Sequence, residues 1–249
     1  MLRSVKEIYN YLLEAEDGEI GQCKDFLFDD ERWAVRYMVA DTGKWLPGRR
    51  VLISPISLGK PDWSAKLFQV KLTKEQIENS PPLDSDAPVS KQYESNWFDY
   101  YGYSYYWRGT GVWGTDPYPG DLFLQKKEDK QMNPDTSEGD PHLRSAIEVT
   151  GYHIQAKDDQ VGHVEDFILD DETWILRYMV VDTRNWLPGR KVLVTPSWID
   201  SVDWEEYKVS VDLTRDQVQN SPEYDPSAPV NRKNEERLYD FYGRPKYWD

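Results

Sequence analysis

The chain has 249 residues, 39% of them hydrophobic, and 45 acidic against 30 basic side chains give it a formal charge of −15. No apolar run approaches the roughly 18 residues of a spanning helix, and the charged start Met-Leu-Arg-Ser-Val-Lys-Glu is unlike a signal peptide. This acidity, without a long basic run, excludes counterion-driven binding to nucleic acid or to an anionic membrane surface, and a lone cysteine, Cys23, excludes an internal disulfide. The expectation is a cytoplasmic protein with no nucleic-acid partner and no direct membrane insertion.

In chain order, residues 20–28 read as a strand and Asp29-Asp30-Glu31-Arg32 as a turn that faces solvent. Residues 33–41 form a second strand, apolar on both faces, as in a barrel or sandwich. Pro47-Gly48 fits the central positions of a type II turn. A third strand over 51–53 ends at Pro55. Phe68, Val70 and Leu72 then alternate with polar residues in a further strand. Thr73 and Gln76 have capping-box spacing at the start of a short helix that Pro81 stops. An aromatic tail follows, with Trp97, Phe98, Tyr100, Tyr101, Tyr105, Tyr106 and Trp107.

The same order then recurs. Arg36-Tyr37-Met38-Val39 returns as Arg177-Tyr178-Met179-Val180, and Trp45-Leu46-Pro47-Gly48-Arg49 as Trp186-Leu187-Pro188-Gly189-Arg190. Both pairs share an offset of 141, which holds without a gap from Ser4 with Ser145 as far as Trp107 with Trp248. The chain is therefore read as two copies, residues 1–107 and 141–249, each with its aromatic tail. Residues 108–140, rich in Gly, Pro and Asp, form a linker whose first half, around Trp113 and Tyr118, is aromatic enough to dock. The fold class expected is all-β with a short helix per repeat, in two small tandem β-barrels.

Gly21 to Phe28, Asp29-Asp30, Trp33-x-x-Arg36-Tyr37-Met38-Val39-x-Asp41-Thr42 and Leu52-Ile53-Ser54-Pro55 together resemble the PRC-barrel family. Its members include the cytoplasmic domain of the photosynthetic reaction-centre H subunit and the C-terminal domain of a bacterial ribosome maturation factor. The resemblance implies two compact PRC-type barrels used for assembly and protein contact, with no shared catalytic site and no cofactor. It also brings an alternative, an accessory role in electron transport of the reaction-centre type. The membrane helix of the H subunit has no counterpart at this N-terminus, which weighs against that alternative.

Chemistry-bearing residues are scarce. His142, His153 and His163 are scattered and read as surface residues, neither metal cluster nor triad. Cys23 aligns with Val164, so its slot suits a buried, inert thiol. No Gly-rich phosphate loop is present. A carboxylate-based hydrolase is the weaker reading, since it needs two acids at fixed separation in a cleft. The chain is thus expected to be a non-enzymatic interaction or scaffold module for an unknown protein partner, without metal or cofactor. The candidate interaction surface is Trp97, Phe98, Tyr101, Tyr106, Trp107, Trp113, Tyr239, Tyr242, Tyr247 and Trp248. These rings are expected to pack on their own barrels and to lock the two together, or else to meet a second copy in a homodimer or a foreign partner. A turn spanning 29–32 sets a hairpin register in which Asp25 meets Arg36 and Asp166 meets Arg177. Two structural ion pairs are expected there, because a buried arginine needs a partner.

Overall fold

The computed structural model describes residues 1–83, 88–124, 142–183 and 190–249. The first part of the chain contains β1 (Leu2–Ser4), α1 (Val5–Ile8), β2 (Leu12–Ala15), β3 (Gly18–Asp29), β4 (Ala34–Asp41), β5 (Val51–Ile53), β6 (Leu67–Gln69), α2 (Lys74–Glu78), α3 (Lys91–Tyr101) and α4 (Pro119–Leu124). The second contains β7 (Leu143–Ser145), α5 (Ala146–Val149), β8 (His153–Gln155), β9 (Gln160–Asp170), β10 (Leu176–Asp182), β11 (Lys191–Val194), β12 (Ile199–Asp203), β13 (Lys208–Val211), α6 (Arg215–Asn220) and α7 (Arg232–Tyr242). The fold is mostly β, with a few short helices.

Two compact units result, and they cut across the two sequence copies. The first comprises Ile8–Ala146 with Glu172–Trp174; the second comprises Met1–Glu7, Ile147–Asp171 and Ile175–Asp249. The first unit's sheet runs β5-β4-β3-β2-β6 with β7 on β3, and the second's runs β11-β10-β9-β8-β13-β12 with β1 on β9. Both are mixed, because β2 pairs parallel with β6 and β8 parallel with β13, while the other pairings are antiparallel. Among the described residues neither sheet closes on itself. The repeat begins with identical tripeptides, Leu2-Arg3-Ser4 and Leu143-Arg144-Ser145, and each completes the sheet built by the other copy. Ser4 faces Ile168, and Ser145 faces Leu27.

The central hairpins carry the cores. Along β4, Ala34 to Ala40 are buried on both faces, as the apolar pattern requires. Trp33 and its equivalent Trp174 sit just before their strands at φ 53° and 59°, a left-handed conformation that is costly for a bulky residue. Trp174 packs on Phe26 and Phe68 of the first unit, and its carbonyl accepts from Val35 N at 2.8 Å. Gly21 and Gly162 mark a close backbone approach at φ 133° and 144°, where a Cβ would overlap the carbonyl of Asp41 or Asp182.

The expected ion pairs are corrected. Each hairpin closes one residue later than expected, with Asp29 facing Ala34 and Leu169 facing Leu176, and a bulge at Arg36 or Arg177 adds one residue more, so that Asp25 faces Val39 and Asp166 faces Val180. Arg36 pairs with Asp29, and Arg177 with Asp170. Asp25 and Asp166 instead hold the exchanged strands: Asp25 accepts from Ser145 Oγ at 2.6 Å, and Asp166 from Ser4 Oγ and from Lys6 N at 3.1 Å. Together these move each partner by three residues, which redirects both carboxylates.

Both capping boxes form, at Thr73 with Gln76 and at Thr214 with Gln217. Each copy has more than the one helix expected. The aromatic tails open with α3 and α7, which run from Ser90 and Asn231 caps to left-handed Gly102 and Gly243. Gly48 has φ 73°, as a type II turn at Pro47-Gly48 demands; the matching Pro188-Gly189 lies outside the described residues. Arg49 of the same motif binds the end of α2 through the carbonyls of Ile77 and Ser80 at 3.1 and 2.7 Å. Within the expected linker, residues 108–124 belong to the first unit, where Trp113 and Leu122 are buried. Residues 125–141 lie outside the described residues. No described helix is long and apolar enough to cross a membrane.

Candidate functional site

The site grows from the end of the first hairpin. Asp29 closes the β3–β4 turn: its Oδ1 accepts from Glu31 N and Arg32 N at 3.1 and 2.7 Å, and its Oδ2 accepts from Arg36 Nε and Nη2 at 2.8 and 2.5 Å. Asp29 is 3% exposed and Arg36 1%, so this acid is part of the core and not of a solvated turn. Asp30, the next residue, accepts from Arg144 Nε at 2.8 Å, and burial holds its carboxyl above the usual range.

Arg36 lies between two rings. Its guanidinium carbon is 3.8 Å from the Tyr106 centroid and 4.6 Å from that of Trp113. Its Nη1 donates to Val112 O at 2.7 Å, so the guanidinium is satisfied by carboxylate, carbonyl and π-faces together. Trp113, fully buried, donates through Nε1 to Thr173 O at 2.8 Å. Arg32 holds the same passing segment through the carbonyls of Gly111 and Gly109. Gly114 N donates back to Tyr106 O at 2.8 Å. Residues 109–114 are thus an aromatic peptide seated on a prepared face of the unit.

Beneath the tail lies Glu94 of α3, fully buried, accepting from Tyr106 OH at 2.8 Å and Tyr37 OH at 3.1 Å. Lys91 Nζ donates to its second oxygen at 3.4 Å. Burial raises the Glu94 carboxyl despite these donors, and both phenols are held well above their ordinary value for the same reason. His142 Nε2 lies 2.9 Å from Tyr106 OH and 3.2 Å from Lys91 Nζ. Burial and the Lys91 charge lower its pKa to about 4, so this histidine is a neutral, partly buried neighbour of the network and not a surface residue. Cys23 is buried, and burial raises its thiol far above neutrality.

The second unit repeats this arrangement at the 141-residue offset. Arg177 pairs with Asp170 at 3.1 Å and stands 4.2 Å over the Tyr247 ring. Glu235 accepts from Tyr178 OH and Tyr247 OH, both at 2.8 Å, and pairs with Arg232 at 3.1 Å. Arg232 covers Trp248 at 4.0 Å, as Lys91 covers Trp107 at 4.1 Å. The outer side differs. Tyr247 is 40% exposed where Tyr106 is 2%, and Arg177 keeps 18% of its side chain exposed where Arg36 keeps none.

The residues read as an interaction surface therefore separate. Trp97, Phe98, Tyr106, Trp113, Tyr239 and Tyr242 are buried, Tyr101, Trp107 and Trp248 are half-buried, and Tyr247 is exposed. In the first unit, contacts among Trp97, Phe98, Tyr101, Tyr103, Tyr106 and Trp107 make one cluster. In the second, Tyr239 meets Tyr247 and Trp248, while Tyr242 meets Trp198. Sequence reasoning passed over Glu94, Glu235, Lys91 and Arg232, and read Asp29 and Asp170 only as residues of solvated acidic turns. Their signal was available: Glu94 and Glu235 are identical at the repeat offset, one turn before apolar residues on a capped helix. Among the described residues no three His, Cys, Asp or Glu side chains group to hold a metal ion.

No family model matches the chain. Over 74 residues it is 35% identical to an uncharacterized protein of Deinococcus radiodurans, a match covering 30% of this chain and 26% of that relative.

Proposed function

We propose that this chain is a non-catalytic protein-binding module made of two PRC-type domains, and that the Arg177–Tyr247 face of its second unit takes an aromatic peptide segment from a partner. One observation carries the reading. In the first unit the equivalent Arg36–Tyr106 face already holds such a segment, with Arg36 bound to the Val112 carbonyl and stacked on Trp113. The second unit has the same arginine, tyrosine, aspartate and glutamate, while its tyrosine remains 40% exposed. A glycine-flanked tryptophan contributes large contact area at low entropic cost, and a planar guanidinium accepts both a ring and a carbonyl. The acids of both networks are engaged with arginine, lysine and tyrosine, which supports binding over hydrolysis.

The test is a synthetic peptide with the sequence of residues 109–116, its tryptophan replaced by 5-fluorotryptophan, followed by fluorine NMR as the full chain is added. Saturable line broadening is expected at roughly 0.1–1 mM, weak because the free peptide must be ordered. Unlabelled parent peptide should relieve this broadening by competition, whereas the same peptide with alanine in place of Trp113 should leave it unchanged. Broadening that such a tryptophan-less competitor relieves as well as the parent peptide does would overturn the reading.

A further inference from the structure

Tyr93 and Asn234 stand at equivalent positions in the first turns of α3 and α7. In the first unit the Tyr93 ring reaches from α3 to the end of the α2 segment, where its hydroxyl donates to Pro81 O at 3.0 Å. Burial pushes this phenol up to about 12, so it remains a donor throughout the ordinary pH range. In the second unit the short Asn234 turns back on its own helix start. Its Oδ1 accepts from Asn231 N at 3.3 Å and completes a capping box. What remains is a cavity of about 80 Å³, open on one side. Asn234 lines one part of it and Pro222, the equivalent of Pro81, another, with Leu193, Val230 and Leu238 as apolar walls.

We propose that this cavity is a binding site for a phenol ring, whose hydroxyl donates to the Pro222 carbonyl as Tyr93 donates to that of Pro81. The size agrees. An enclosed apolar cavity of ~150 Å³ takes up benzene whole; this one has about half that volume, is open, and adds Glu223, Asp225 and Arg237 to its lining, so it seats a ring in part and leaves the rest to solvent. The Pro222 carbonyl receives Ser221 Oγ at a long 3.5 Å, and a carbonyl oxygen has two lone pairs. The site uses none of the Arg177–Tyr247 residues, so its fate is separate from that of the peptide face.

The experiment titrates the full chain with p-cresol, toluene and N-acetyltyrosinamide under protein-observed NMR. Saturable p-cresol binding in the millimolar range is expected, with toluene about three- to tenfold weaker for want of the hydrogen bond. Equal binding of N-acetyltyrosinamide assigns a tyrosine carried by a polypeptide as the source, and binding of p-cresol alone assigns a small free phenol. Asn234→Tyr fills the cavity from within and should weaken p-cresol at least about tenfold. Its helix is expected to form, because α3 carries tyrosine at this position behind the simple Ser90 cap. Tyr93→Asn, conversely, should open the matching cavity and raise the stoichiometry from one ring to two. Undiminished p-cresol binding in Asn234→Tyr, toluene binding as well as p-cresol, or no saturable binding at all would each overturn the site.

Discussion

Arg36 and Arg177 occupy the same place in two copies of one fold, yet one is sealed and the other is not. Arg36 has Asp29, two rings and the Val112 carbonyl around it and no exposed side-chain surface, whereas Arg177 stands over a tyrosine that is 40% exposed. The difference comes from chain that lies outside the repeat: residues 109–114 follow the first tail and fold back over it. A repeat unit thus supplies the polar platform, and what covers the platform comes from elsewhere in the sequence. A second contrast concerns tryptophan. Trp97 of α3 meets Tyr101 at 4.5 Å, while its equivalent Leu238 leaves Tyr242 to be met, also at 4.5 Å, by Trp198 from the 3-10 turn at Pro196–Trp198. The equivalent of Trp198 is the buried Ser57. The two copies place one indole against the same tyrosine from opposite partners, which conserves packed volume while exchanging large and small positions.

The comparison breaks most sharply at the arginines. Arg36→Ala strands a buried carboxylate and is expected to cost about 3–5 kcal/mol in urea unfolding, against about 1–2 kcal/mol for Arg177→Ala, whose partner can be reached by water. Equal losses would mean that the cover over Arg36 contributes nothing. A somewhat smaller effect should show no such asymmetry. Gly21→Ala and Gly162→Ala each force a Cβ into a facing carbonyl at positive φ, and each should lose about 3 kcal/mol by the same measurement.

The smallest effect is the pH response of His142, whose counterpart in the second unit is Met1. Its folded pKa, about 4, lies below the ordinary 6.5, so the unfolded chain binds the proton more readily. Stability from this group is complete above pH 6.5 and is lost as the pH falls toward 4. Glu94, raised by burial, acts in the opposite direction, since acid relieves its buried charge. The group of charges facing the imidazole, Lys91, Arg36, Arg144, Asp29 and Glu94, is common to parent and variant. His142→Met should therefore gain melting temperature relative to the parent as the pH drops from 6.5 to 4, with little difference above pH 7. A constant offset across that range would contradict a neutral His142.

Much of this was legible in the residues. The 141-residue offset located every equivalent pair used above, alternation placed Phe68, Val70 and Leu72 in the core, and Thr73 with Gln76 specified a cap that formed in both copies. These are local signals, carried by residues near one another in sequence, and local hydrogen bonds and side-chain periodicity enforce them. The hairpin register was not legible, because each hairpin closes one residue later than a 29–32 turn implies and Arg36 and Arg177 are themselves the bulged residues of β4 and β10, where they meet Asp29 and Asp170. Nor was the exchange of strands. Leu2-Arg3-Ser4 and Leu143-Arg144-Ser145 are identical, and Asp25 and Asp166 offer each the same serine acceptor. Either tripeptide makes the same ladder on either sheet, so nothing local distinguishes its own copy from the other. Only the path of the folded chain, which sets where each strand end lies, decides which edge it meets.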